Sequence, residues 1–545
     1  MQGHPLWSAR TRGLLLGGYV AATFLSFPHP VAGRVLDLGA VVSWLGPALL
    51  LLGIDGLDWK RAGRAALVAG LAAHTAVMHW IYVVTVTYGH APALLGIVAP
   101  MALALYVAAF TGVFGAIWGR LCQHRLAGVW TAALLWTAVD HARSFVLTGF
   151  PWATLGYAQH ENTALLGLAS ATGVYGLSFT TALGGAALAA VARAWMRGGV
   201  AGLLPSRSVW AALAVVAALH AVGLGLRRPI PEDAPTVRVA AIQGNIDQDV
   251  KWSPEWRDET VTIYEQLTRR AVREGGAQIV VWPESAVPGH AGSDPALRAR
   301  LARLGRETGV SLVVGAVGLD TDAQGERLFF DSAFFIDPDG TFTDRYDKSH
   351  LVPFGEYVPL RGLLGSVLGA VARGMARTDV SAGLGPRAVE VPTPGAPGGP
   401  VVRAGVPICY ELLFPDLVRR FVGDGAEVLF AITNDAWYGR TGAPYQFLAI
   451  TALRSAETGV WTVRAANTGI SAIIDATGEV REQTPIFERH WIAADVPLRR
   501  PADGSTLYVR FGDVFAWSCW AALVIRTLPA IRRMRGRTNP PDEKR

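Results

Sequence analysis

Cysteine is scarce in this sequence: Cys122, Cys409 and Cys519 are the only three in 545 residues. No two of them form a CxxC pair or a metal-ligand spacing, and so odd and sparse a set excludes a disulfide framework. Charge is scarce as well. Asp, Glu, Lys and Arg make up 17% of the chain, against 51% hydrophobic residues and a mean hydropathy of +0.30. A chain that apolar lies outside the ordinary soluble range, so membrane spans come first. The formal charge of +6 does not point to nucleic acid, because Lys and Arg gather at the ends of apolar runs, where positive-inside topology accounts for them.

What the chain does have is long apolar runs, at about 13–27, 38–54, 65–86, 94–117, 127–148, 163–192 and 208–226. Several reach the roughly 20 residues that cross a bilayer. No small-x-small cleavage site follows the first run, so it reads as retained. The run at 163–192 contains Gly167, Gly173, Gly176, Gly184 and Gly185 and reads as one span with a loosened start. Arg10 and Arg12 precede the first run, Lys60, Arg61 and Arg64 follow the second, Arg120 and Arg125 the fourth, and Arg193, Arg197 and Arg207 the sixth. The intervening loops are poor in both residues. This alternation predicts a cytoplasmic N-terminus and a membrane domain of about seven helices over 1–230. A last apolar run at 512–531 leads into a basic tail, 532–545, with the same cytoplasmic signature.

Between about 235 and 500 the pattern changes. VRVAAIQG, AQIVVWPE, SLVVGAV, LFFDSAFFI, VVRAGVPICY, EVLFAITN and VWTVRAAN read as short strands. Helical stretches lie between several of them, and in one Val261, Tyr264, Leu267 and Ala271 share a face. PDG at 338–340 and ATG at 476–478 read as hairpin turns, and VPTPGAPGGP at 391–400 as a loop. The expectation is an α/β domain on the outer, extracytoplasmic face, held by spans at both ends.

Three segments end strands with polar residues that could meet: VVWPESAVP with Glu284, DRYDKSHLVPFGEYVP with Lys348 and Glu356, and ICYE with Cys409 and Glu411. Each residue alone also fits a structural role, as a solvated strand end, a surface charge or core packing. Together they suit acyl transfer. A thiol is a poor nucleophile until it loses its proton. A carboxylate can take that proton, and an ammonium can favour the thiolate and then stabilise an oxyanion. The backbone N–H of Tyr410 offers a second oxyanion donor.

This Glu–Lys–Cys order resembles the nitrilase superfamily, which implies an α-β-β-α sandwich. WPES, YDKSHLVPFGEYVP and CYE, with spans at both ends, look like the apolipoprotein N-acyltransferase family, as do TGFPWATLGYAQ at 148–159 and QGNIDQDVKW at 243–252. The resemblance implies a two-step exchange in the bacterial inner membrane, with the catalytic domain on the periplasmic side. A phospholipid such as phosphatidylethanolamine gives an acyl chain to Cys409, and the α-amino group of a diacylglyceryl-cysteine lipoprotein receives it. It implies Glu284 as base, Lys348 as oxyanion stabiliser and Glu356 as support for the lysine. Tyr410 and Glu411 would shape the site, and Trp252 would sit on a loop contributing to lipid access. It implies no cofactor and no metal. Two places depart from the family pattern: LFFDSAFF has Asp331 where Asn is frequent, and the loop after NDAWYG reads GAPYQF, without histidine.

Leu360, Leu363, Leu364, Val367, Leu368 and Val371 recur at helical spacing just after PFGEYVP. They fit a core helix, and the reading preferred is a mobile amphipathic arm dipping into the outer leaflet, with Leu364 and Leu368 contributing to lipid access. Asp140 and Arg143, at helical spacing near the end of the fifth span, read as a structural or headgroup-binding pair. The competing readings are a membrane-tethered amidase or nitrile hydrolase using the same three residues, and a transporter. The spans argue for a lipid substrate over a soluble amide. Few paired intramembrane charges and no internal repeat argue against the transporter.

Overall fold

Two kinds of apolar patterning build two units. A computed structural model describes residues 7–198, 206–227, 233–357, 379–394, 401–499 and 504–535. Met1–His79, Pro100–Leu226 and Phe511–Arg545 form the first unit, and Trp80–Ala99 with Arg227–Arg510 the second. The arm expected around Leu364 and Leu368 lies outside the described residues.

The first unit is helical. Ala93–Gln123, Val174–Arg197 and Arg207–Leu226 are long and apolar enough to cross a membrane. Around them lie Ala9–Leu25, Leu45–Gly53, Trp59–Val77, Val129–Ala142 and Val514–Arg535. Small residues set the packing. Ala62, Ala66, Ala69 and Ala73 line the buried face of Trp59–Val77. A Cβ at Gly115 would lie 2.5 Å from the Ala66 Cβ and 2.7 Å from the Ala62 carbonyl oxygen. The two helices therefore meet almost backbone to backbone, where dispersion and not the hydrophobic effect holds apolar helices together. A short hairpin, β1 (His29–Val31) and β2 (Arg34–Leu36), turns through Ala32 and Gly33, both at positive φ.

Two apolar runs fold differently from their patterns. The run at 163–192 divides into Thr163–Leu166, Ala169–Thr172 and Val174–Gly198, with Gly173 at φ 63° breaking the helix. The run at 65–86 stops being an α-helix at Val77, and Val83–Tyr88 makes a π-helical turn within the second unit. Asp140 and Arg143 are buried together. Arg143 Nη2 donates to Thr154 Oγ1 at 2.9 Å, and Asp140 Oδ2 accepts from the Leu155 N–H and Ser178 Oγ–H. The pair thus clasps the TGFPWATLGYAQ segment to two helices.

The second unit holds two six-stranded sheets. One is ordered β14 (His490–Pro497), β3 (Thr236–Gln243), β4 (Ile279–Val281), β5 (Ser311–Thr321), β6 (Arg327–Ile336), β7 (Phe342–Asp347). The other is ordered β13 (Val480–Gln483), β12 (Ala472–Ile474), β11 (Trp461–Ala466), β10 (Val428–Thr433), β9 (Val401–Gly405), β8 (Ala388–Pro392). Each has a parallel centre, β3–β4–β5 and β9–β10–β11, flanked by antiparallel strands. Period-2 alternation on β3 explains the layering. Val237, Val239 and Ala241 enter the core between the sheets, while Ala240 and Ile242 face helices Pro254–Gly275 and Pro295–Thr308. Pro415–Gly423 and Ala443–Thr458 accompany the second sheet. The result is an α-β-β-α sandwich.

Candidate active site

Three strand ends converge. After β4 the chain turns through Trp282–Pro283 and presents Glu284, and Gly315 on β5 makes room for that turn. A Cβ at Gly315 would lie 2.0 Å from the Pro283 carbonyl oxygen. Lys348 follows directly on β7. Beyond β9, Cys409 opens a short 3-10 turn, Cys409–Leu413. Ser285 at φ 50° and Cys409 at φ 47° lie in the left-handed region. For residues with a side chain that conformation costs about 1–3 kcal/mol and persists only where the surroundings fix it.

Glu411 does the fixing at Cys409. Its fully buried carboxylate accepts from the Ile408 N–H at 2.8 Å on one oxygen. The other oxygen accepts from the Ser349 N–H at 2.8 Å, the Ser349 hydroxyl at 2.7 Å and the Tyr346 hydroxyl at 2.8 Å. One side chain thus ties the cysteine turn to the lysine segment. PFGEYVP supplies a second tie. Phe354 sits at φ 65°, and Glu356 folds back so that its Oε2 accepts from the Val352 N–H at 2.8 Å.

At the centre is the Lys348 ammonium, with its side chain 0% exposed. Its Nζ lies 2.5 Å from Glu356 Oε1, 3.3 Å from Glu284 Oε1 and 3.5 Å from Asp331 Oδ2. Glu284 Oε2 accepts from the Asn434 N–H at 2.7 Å. Lys251 is a second fully buried lysine, whose Nζ reaches the Glu284 carbonyl oxygen at 3.4 Å. Gln248, Asn434 and Asn467 are hydrogen-bonded in a chain that joins the QGNIDQDVKW and NDAWYG segments behind Glu284.

The electrostatics follow from this crowding. Burial alone would raise the Glu284 carboxyl, but Lys348, a hydrogen bond from Asp331, Lys251 and the Asn434 N–H hold it below the ordinary carboxylate range. Burial would lower Lys348, yet Glu356, Glu284, Cys409 and Asp331 keep it well above the usual lysine value. Burial, then the Glu284 charge, push the Cys409 thiol well above its usual value, against the pull of Lys348 and Thr433. Burial lowers Lys251 to about 8. The resting set is therefore thiol, carboxylate and ammonium. A thiol in that state becomes a nucleophile only if a base takes its proton as it attacks.

All three residues of the expected Glu284–Lys348–Cys409 set lie in one cluster, with Glu356 on the lysine and Glu411 beneath the cysteine. Tyr410 packs against the rings of His350 and Phe414. Trp252 is 51% exposed, with its ring 6.0 Å from Lys251 Nζ. Leu364 and Leu368 lie outside the described residues.

Comparison with known proteins agrees with both units. The Apolipoprotein N-acyltransferase N-terminal domain family matches residues 21–187, and the Carbon-nitrogen hydrolase family matches 238–502. A curated apolipoprotein N-acyltransferase from Geobacter metallireducens is 39% identical over 95% of this chain and 95% of its own length. The chain belongs to the apolipoprotein N-acyltransferase family. Members from Azotobacter vinelandii and Vibrio parahaemolyticus are 33% and 30% identical, over 90% and 94% of this chain and 90% and 97% of their own. Among solved structures, an amidase from Nesterenkonia sp. aligns with 19% identity and a TM-score of 0.36, covering 52% of this chain and 96% of its own. An apolipoprotein N-acyltransferase is an acyltransferase, and the sandwich is its nitrilase-superfamily domain.

Reading the sequence missed Lys251 and Asn434. Lys251 stands beside Trp252 in a segment already singled out, but the buried face of its one-turn helix, Gln248–Lys251, carries no periodic signal. Asn434 contributes through its backbone N–H, which no side-chain pattern announces.

Proposed function

We propose that this chain moves an acyl group from a membrane phospholipid to the α-amino group of a diacylglyceryl-cysteine at a lipoprotein N-terminus, through a thioester on Cys409. The carrying observation is the buried Lys348 ammonium held between Glu284 and Glu356 beside the Cys409 turn, in a chain related over nearly its whole length to apolipoprotein N-acyltransferases. In the first step the Cys409 S–H proton passes to Glu284 as Sγ attacks the ester carbonyl. Lys348 stabilises the oxyanion, the carbonyl re-forms, the C–O bond breaks, and Glu284 returns the proton to the departing lysophospholipid alcohol. In the second step the neutral amine attacks the thioester and Glu284 takes its proton. The C–S bond breaks and Cys409 is reprotonated. The exposed Trp252 and the apolar Leu364 and Leu368 serve lipid access. Phosphatidylethanolamine is the proposed donor, and the inner membrane, with the sandwich on the periplasmic side, the proposed location.

Incubation with phosphatidylethanolamine carrying a labelled acyl chain tests this. The expected result is a hydroxylamine-sensitive acyl-enzyme that Cys409→Ala lacks, followed by label on the amine of a diacylglyceryl-cysteine peptide. Release of labelled fatty acid alone, with no peptide product, would make the protein a hydrolase and overturn the reading.

A further inference from the structure

Four elements bring titratable groups to one buried point. Glu284 comes from the turn after β4, Asp331 from β6, Lys348 and Glu356 from the segment after β7, and Lys251 from the helix before Trp252, with Cys409 alongside. Carboxylate oxygens of Glu284, Asp331 and Glu356 all lie within 4.8 Å of one another. Three ionised carboxylates against two ammoniums would leave the buried cluster with a net charge of −1, and every thiolate formed there would add another. Like charges at that spacing, away from water, do not all ionise.

The hydrogen bonds say which group keeps a proton. Both Glu284 oxygens are met by donors, Lys348 Nζ on one and the Asn434 N–H on the other. Glu356 has Lys348 at 2.5 Å and the Val352 N–H at 2.8 Å. Asp331 has only the longest contact to Lys348, 3.5 Å from Oδ2, and its buried Oδ1 meets no donor among the described residues. A carboxylate oxygen of Asp331 nonetheless lies within 4.8 Å of one of Glu284. Two ionised carboxylates offer only acceptors, so a proton on one of them is what lets such a pair join in a hydrogen bond.

Resting on the acyl-transfer reading above, we infer that Asp331 is a positioning residue that carries the cluster's proton as a neutral carboxylic acid and donates it in a hydrogen bond to Glu284. The cluster is then neutral: Glu284 and Glu356 balance Lys348 and Lys251. The Asp331 proton stays in place through both chemical steps. Only the proton from Cys409 or the amine travels on and off Glu284. Burial and the neighbouring Glu284 charge push the Asp331 carboxyl well above the usual range, in the same direction. A neutral amide would do the same work, since it too donates to Glu284 and adds no charge.

The test uses the full-length protein in detergent with phospholipid, and Asp331→Asn and Asp331→Ala variants. Iodoacetamide labelling of Cys409, followed by peptide mass spectrometry that separates it from Cys122 and Cys519, reports thiolate formation whatever the substrate. At neutral pH the Asn variant is expected to label within about threefold of the parent, and to recover most of the peptide acylation that Ala loses. Labelling that rises tenfold or more in Asp331→Asn would mean that an anion had been removed, and would overturn the inference. So would an Asn variant as defective in acylation as Ala. If the parent itself gives no peptide product, the acyl-transfer reading fails, and the labelling still decides the charge on Asp331.

Discussion

Lys251→Met is the sharpest test of how the site sets its base. The substitution keeps the length and apolar stem of a fully buried side chain and deletes its charge. Lys251 Nζ sits 3.4 Å from the Glu284 carbonyl oxygen, and its charge acts on the Glu284 carboxylate. At an effective dielectric of about 20, a unit charge about 6 Å away contributes roughly 2.8 kcal/mol, or about two pH units. Lys251 helps hold the Glu284 carboxyl below its ordinary range, so removing it raises that carboxyl and protonates the base at higher pH. The acidic limb of the kcat/KM profile should move up by one to two units, so transfer on that limb should fall about 10- to 100-fold while the rate at neutral pH changes little. Lys251 itself loses its proton near pH 8, where Glu284 stays ionised with or without it, so parent and variant should differ on the acidic limb and not above that pH. Labelled-acyl transfer to the acceptor peptide, measured from pH 5 to about pH 10, covers both ranges. An unmoved acidic limb would refute the assignment of Lys251 to the charge balance.

Glu356→Gln removes the negative charge nearest the buried Lys348 ammonium, whose Nζ lies 2.5 Å from Glu356 Oε1. Transfer should fall at least about 100-fold and stability by about 3 kcal/mol, read by thermal unfolding in detergent. Gly315→Ala places a methyl 2.0 Å from the Pro283 carbonyl oxygen and must shift the Glu284 turn. The expected result is a folded protein less stable by about 1–3 kcal/mol, with transfer reduced about 100-fold because the base is displaced.

The central strands of the sandwich were legible because β3, β4, β5, β10 and β11 are continuous or alternating apolar runs, and Val261, Tyr264, Leu267 and Ala271 mark the helix over them. β7 was not: FTDRYD is mostly polar, and Arg345 and Asp347 on it pair with each other at 2.9 Å. β8, β12, β13 and β14 were missed too, being short or bounded by turn residues. The hairpin turns at PDG and ATG do join strands, β6 to β7 and β12 to β13. Glu284, Lys348 and Cys409 stood out through their motifs. Asp331 appeared only as a departure from a family pattern, because its protonation depends on Glu284 and Lys348, 47 and 17 positions away along the chain. The break at Gly173 stayed hidden because a helix and its neighbours there share one apolar composition.

The high proton affinity of Cys409 has a consequence for the enzyme's lifetime. Oxidants attack thiolates far faster than thiols. In the proposed exchange the wait for a protein is spent as a thioester, and only the wait for the next lipid leaves Cys409 as a free thiol. A sulfur that stays protonated until a carbonyl arrives is safe during that wait. The half-buried Cys409 keeps its proton, with Glu284 in the same cluster. In the proposed exchange the crowding that disfavours the thiolate would slow adventitious oxidation and confine reactivity to the moment when an ester occupies the site.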